Sequence, residues 1–147
     1  MFEKIYAFIL LLQADIVTKE EYNDYLDLLF LEDSENELLI DLEFASNDLS
    51  ETLTIINEVF YKQDALLKYD VFGSVLFENI RKLYEKGTLG IEDFGRKVLC
   101  LWNLLPCEIL QTEPFWTLSY ADDCLSFGDE SQTRKLYENA FSYSWNI

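Results

Sequence analysis

The chain has 147 residues, half of them apolar and 16% aromatic, with only five Gly and two Pro. That is one domain's worth of sequence, too apolar for a disordered acidic tail and too poor in turn formers for a many-stranded β fold. Its 28 acidic and 11 basic residues give a net charge of −17, which disfavours nucleic acid and anionic membranes as direct ligands, because affinity for both comes from Lys and Arg.

The first predicted element is a helix over residues 2–14, with Phe2, Ile5, Ile9 and Leu12 on one face and Tyr6 and Phe8 widening it. A helix this apolar around its circumference belongs in the middle of a fold. The run 5–12 has no positive region before it, since Glu3 and Lys4 cancel, and no small-residue cleavage pattern after it. It is also too short to span a bilayer, so it is expected as a buried helix and not as a signal segment.

Thr18-Lys19-Glu20-Glu21 has the form of a capping box and announces a second helix. There Tyr22, Tyr25, Leu26 and Leu29 share a face opposite Glu20, Asp24 and Asp27. Ser34-Glu35-Asn36-Glu37 is a further capping-box candidate, ahead of Leu38, Leu39, Leu42 and Phe44. Asp48-Leu49-Ser50-Glu51 starts the next helix, whose apolar stripe is Leu49, Leu53, Ile56 and Phe60.

From Tyr69 to Lys86 runs an amphipathic helix with Phe72, Val75, Leu76, Ile80 and Leu83 inward, closed by Gly87 and Gly90. Another spans 91–105, with Phe94, Val98, Leu101, Trp102 and Leu105 inward, and Pro106 stops it. Thr112-Glu113-Pro114 opens a helix through Phe115, Trp116, Leu118, Ala121 and Leu125 to Gly128. Asp129-Glu130-Ser131-Gln132 caps a last one through Leu136, Tyr137, Ala140 and Phe141. The pattern predicts one all-α domain over residues 1–147, a compact bundle of about seven mostly antiparallel helices. No internal repeat of solenoid length and no flexible linker divides it.

The charge is uneven. Between Lys19 and Glu58 there are 13 acidic residues, and Lys19 is the one base. Residues 71–111 balance five acids against five bases, and acid gathers again at Asp122, Asp123, Asp129 and Glu130. Helices built for their own support would mix signs at i,i+4 spacing. A one-signed solvent face costs stability, and complementarity to a cationic surface is a physical reason to keep it. The candidate partner-binding residues are therefore Asp24, Asp27, Glu32, Asp33, Glu35, Glu37, Asp41 and Glu43, with Asp122, Asp123, Asp129 and Glu130 as a second patch. Trp145, in the aromatic C-terminal stretch with Phe115, Trp116, Tyr120, Phe127 and Tyr143, is the candidate exposed anchor, because chain ends lie at surfaces.

Catalytic and metal chemistry find little footing. The chain has no His, which removes the common proton shuttle, the commonest metal ligand and every His-based nucleophilic set. Gly87-Thr88-Leu89-Gly90 lacks the Lys of a phosphate loop, and no calcium-loop spacing occurs. Asp122 and Asp123 are sequence neighbours, so on a helix they point about 100° apart and do not converge. Neither an enzyme nor a cofactor is expected. Cys100, Cys107 and Cys124 form an odd set without CxxC spacing and are expected as reduced core residues of a cytoplasmic protein.

A small, acidic, His-free helical chain with the stretch Phe115-Trp116-…-Tyr120-Ala121-Asp122-Asp123-…-Gly128-Asp129 resembles, in overall character, the helical immunity proteins of bacterial polymorphic toxin systems, including those of contact-dependent growth inhibition. The resemblance implies a cytoplasmic antitoxin, a monomer or weak dimer when free, that binds a basic toxin domain, often a nuclease. The other readings of the acidic surface are a DNA-mimic regulator that blocks a DNA-binding protein, and a structural helical subunit of an oligomer.

Overall fold

The computed structural model describes residues 1–62 and 67–147. Among these residues eight α-helices follow one another: α1 Phe2–Gln13, α2 Lys19–Glu32, α3 Glu37–Phe44, α4 Leu49–Lys62, α5 Tyr69–Lys86, α6 Ile91–Leu104, α7 Phe115–Ser126 and α8 Glu130–Phe141. A 3₁₀ turn, Cys107–Ile109, joins α6 to α7. Among the described residues there is no strand. The all-helical bundle is as expected, with eight helices in place of about seven.

Helix α1 is the hub. Every residue from Ile5 to Leu11 is buried, and the helix packs against α2, α4, α5 and α6. Ile5, Ile9 and Leu11 are fully enclosed, and burial of each contributes about 2 kcal/mol of transfer free energy. Helices α2 and α4 pack on α1, and α3 packs on both of them, whereas α7 and α8 pack on each other and on α6 and α5. Among the described residues no substantial packing joins α2–α4 to α7–α8.

Two corners of the bundle are fastened in the same way, by Asp48-Leu49-Ser50-Glu51-Thr52 and Asp129-Glu130-Ser131-Gln132-Thr133. Each Asp carboxylate accepts from a backbone N–H three residues on, Glu51 and Gln132 respectively, at 3.1 Å. Each Thr hydroxyl lies within hydrogen-bond reach of two carbonyls, that of the Asp before its own helix and one from the preceding helix or its closing residue. Thr52 Oγ1 is 2.9 Å from Asp48 O and 3.1 Å from Ala45 O, and Thr133 Oγ1 is 3.0 Å from both Asp129 O and Ala121 O. Both threonines are buried. One short motif thus starts a helix and ties it to its predecessor.

The capping box at Thr18 and Glu21 forms in full, but the one expected at Ser34 does not. Asn36 caps α3, its Oδ1 accepting from Leu39 N at 3.2 Å, and Ser34 lies in the turn before it. An amide two residues later does the same work from a position adjacent to the first helical residue. Five expected core positions are corrected as well. Leu49 is exposed, and Thr52 with Ile56 carries the buried face of α4. Phe44 lies at the end of α3, 89% exposed. Cys100 and Cys107 are exposed and Cys124 half-buried; on α6, Val98 and Leu101 take the inward positions and leave Cys100 outside.

Candidate acidic interface

The turn of chain from α2 into α3 collects eight of the residues expected to bind a partner, and all of them are exposed. On α2, Asp24, Asp27, Leu28 and Leu31 fall at i, i+3, i+4 and i+7, opposite the buried Tyr22, Leu26 and Leu29. On α3, Glu37, Asp41 and Phe44 form a second outer stripe of the same spacing, opposite Leu39 and Leu42. Glu32, Asp33 and Glu35 stand at the tip between the two helices. Each stripe runs from carboxylates to a bare apolar side chain: Leu31 is 83% exposed.

The two helices bring like charges together. The Glu43 carboxyl is held above the usual glutamate range, first by partial burial and then by a hydrogen bond with Asp27 and the repulsion of its charge. The field of the tip also reaches the hydroxyl of Tyr25, which is pushed up to about 12 by burial and further by the charges of Glu78 and Glu32.

Among the described residues this charge has no close counter-charge. Among the described residues, no ion pair involves any carboxylate between Glu20 and Glu58. Lys19, the one base of the segment, donates to Asn47 Oδ1 at 2.8 Å. The balanced region behaves in the opposite way: Arg81 pairs with Glu85, Lys82 with Glu78 and Arg96 with Asp93, all one helical turn apart, and Lys97 reaches Asp15. Some front carboxylates do local work. Glu21 completes the α2 capping box, Asp33 accepts from Asn36 Nδ2 at 3.2 Å, and Asp48 caps α4. Asp24, Asp27, Glu35, Glu37, Asp41 and Glu43 have no such role among the described residues.

The second acidic patch divides. Asp129 is the cap of α8 and Glu130 pairs with Arg134 at 2.9 Å, so both serve the helix they begin. Asp122 is half-buried, its carboxyl raised by burial and then by the neighbouring Asp123. Asp123 is exposed. Trp145, expected as an exposed terminal anchor, is turned inward and packs against Phe77 and Phe115 with centroids 5.7 Å away in each case. Bare apolar and aromatic side chains include Leu28, Leu31, Phe44, Tyr61, Trp116, Tyr120 and Phe127. Charge counting passed over Leu28 and Leu31, although their departure from the α2 core register was visible in the sequence.

An open groove of about 430 Å³ runs between α1, α4 and the chain after α6, where Tyr6, Leu53, Phe60, Tyr61, Cys107 and Glu108 line it. Among the described residues no three His, Cys, Asp or Glu side chains are grouped so as to hold a metal ion. Likewise among them, no helix is long and apolar enough to cross a membrane. No protein-family model matches the chain, and no curated protein or solved structure matches it either.

Proposed function

We propose that the chain is an immunity protein, an antitoxin that captures a basic toxin domain, in the first instance a nuclease, on the outer face of α2 and α3. The observation that carries this reading is the unneutralised charge of that face, set beside exposed leucines and Phe44. A carboxylate face without internal partners steers a cationic surface into contact and discriminates against acidic or neutral ones. Leu28, Leu31 and Phe44 supply apolar area that such a contact would cover, which charge alone does not. A nuclease groove, lined with Lys and Arg for phosphate, has the matching sign. The outer stripes stand on helices whose opposite faces are locked in the core, so little ordering entropy is lost on docking.

The test is genetic and direct. The protein is co-expressed with the product of the neighbouring open reading frame, and growth rescue and pull-down are scored together. Rescue with one-to-one binding, both abolished by Asp24→Lys with Asp27→Lys, is the expected result. Toxicity unrelieved by co-expression, with no complex formed, would remove the immunity reading.

A further inference from the structure

The solvent face of α7 carries a different kind of surface. Trp116, Tyr120 and Asp123 follow one another at i, i+4 and i+7 along one side of the helix, and Phe127, the residue that closes it, continues the line to roughly 16 Å. All four are exposed, Phe127 by 90%. The Trp116 and Tyr120 rings are stacked, with centroids 5.4 Å apart and planes 11° from parallel. Opposite them Phe115, Leu118 and Ala121 are buried, so the stripe is not needed to hold α7 in place. No Lys or Arg occurs anywhere from residue 98 to residue 133.

We propose that this face is a docking surface for an arginine-bearing segment of a partner protein, with a guanidinium lying over the Trp116–Tyr120 stack and paired with Asp123, and apolar contact at Phe127. Three features select this occupant. The faces of Trp and Tyr attract cations, and a planar guanidinium stacks on them as an ammonium cannot. Asp123, one turn beyond Tyr120, offers a carboxylate to the same group, and an Arg–carboxylate contact is the stronger and more directional kind. The rings are already stacked on one another, so the anchor is ordered before the partner arrives. A second copy of the chain is a poor occupant, because two bodies of charge −17 repel. An anionic lipid surface meets the same obstacle at Asp122 and Asp123. The inference goes beyond the antitoxin reading, since it concerns helices that pack apart from α2 and α3 and does not require the partner to be a toxin.

The probe is a nonapeptide alternating arginine and alanine, with lysine and citrulline counterparts, titrated into the isotope-labelled full chain while the indole N–H signals of Trp102, Trp116 and Trp145 are followed. The arginine peptide is expected to move the Trp116 signal and leave Trp145 in place, with affinity at least about fivefold above that of the lysine peptide. Trp116→Ala and, as a variant at a fully solvated position, Phe127→Ser are each expected to weaken the arginine peptide while the folded spectrum is retained. The front-face variant Asp24→Asn, Asp27→Asn, Glu35→Gln, Glu37→Gln is expected to leave the Trp116 response unchanged, which separates this site from the acidic interface. Equal response to lysine and arginine, a Trp116 signal that does not move, or a shift that tracks protein concentration through self-association would each overturn the proposal.

Discussion

The indole of Trp145 occupies the space that a side chain at Gly73 would take: a Cβ there would overlap the ring and come within 2.9 Å of Phe115 Cζ. Helix α5 gives up a residue's worth of helical propensity at Gly73, and in return the segment after α8 lies down against α5 and α7. Gly73→Ala removes a flexible residue from a helix, which by itself stabilises by about 1 kcal/mol. The overlap opposes this, because forcing a methyl into a filled site costs about 1–3 kcal/mol. The expected outcome is net destabilisation, measured by urea unfolding, with loss of the near-ultraviolet signal of Trp145. In the Trp145→Ala background the same change is expected to be neutral or stabilising, and a double-mutant cycle checks it.

The threonines at the two helix corners are expected to matter more than their size suggests. Thr52→Val and Thr133→Val keep the shape but remove a hydroxyl that serves two carbonyls, one on each side of the corner. Each is expected to destabilise by about 1–2 kcal/mol in denaturant unfolding. Asp48→Ala and Asp129→Ala, which remove the caps, are expected to cost about 1 kcal/mol each. A valine variant as stable as the parent would show that the corner is held by packing alone.

Glu43 gives a pH signature. Its carboxyl is held above the ordinary range by partial burial and by Asp27, so the folded protein binds that proton more readily than the unfolded chain does. Stability therefore falls as pH rises through the folded-state value and recovers as pH drops back toward the ordinary glutamate range. Glu43→Gln is expected to raise stability at neutral pH by about 0.5 kcal/mol, a small effect because solvent screens a largely exposed group. The gain should vanish in acid, where both proteins are uncharged at that position. Thermal unfolding at neutral pH and near pH 4 measures both arms.

The front-face variant Asp24→Asn, Asp27→Asn, Glu35→Gln, Glu37→Gln separates steering from folding. With a basic toxin domain as partner, association is expected to slow by about tenfold at low ionic strength and to approach the parent rate as salt is raised. The variant itself is expected to unfold at a higher temperature than the parent, since the charges it loses have no cationic partners among the described residues and Asp27 repels Glu43. Stopped-flow association and thermal unfolding check the two halves. An unchanged rate would place the contact elsewhere.

Much of the fold was legible because this chain marks its helices chemically. Thr18 with Glu21, Asp48 and Asp129 are start signals that act through the adjacent backbone, and each began a helix where expected. The hub position of α1 followed from its lack of a polar face. What could not be read were choices between near-equivalent residues and the destinations of apolar ones. Ser34 and Asn36 are both good caps, and only the turn's path selects Asn36. Phe44 and Phe127, at the ends of their helices, are chemically indistinguishable from core residues until packing fixes where each helix stops, whereas Leu28 and Leu31 already stood off the α2 core register. Trp145 shows the reverse error: a position near a chain end says nothing about a notch such as Gly73, which lies far away in sequence. The charge imbalance of the front half was plain, but its lack of internal ion pairs emerged only from the arrangement of α2 to α4.

A surface that carries its own counter-charge can let a ligand go without consequence for the solution around it; the α2–α3 face cannot. Its carboxylates must be balanced by sodium, potassium or magnesium drawn loosely from the medium. A cationic protein that settles there sets those ions free, and their dispersal adds an entropic pull that weakens as the medium fills with salt, as when basic proteins bind DNA. In this respect one side of the molecule behaves as a short stretch of polyelectrolyte held in shape by a helical core.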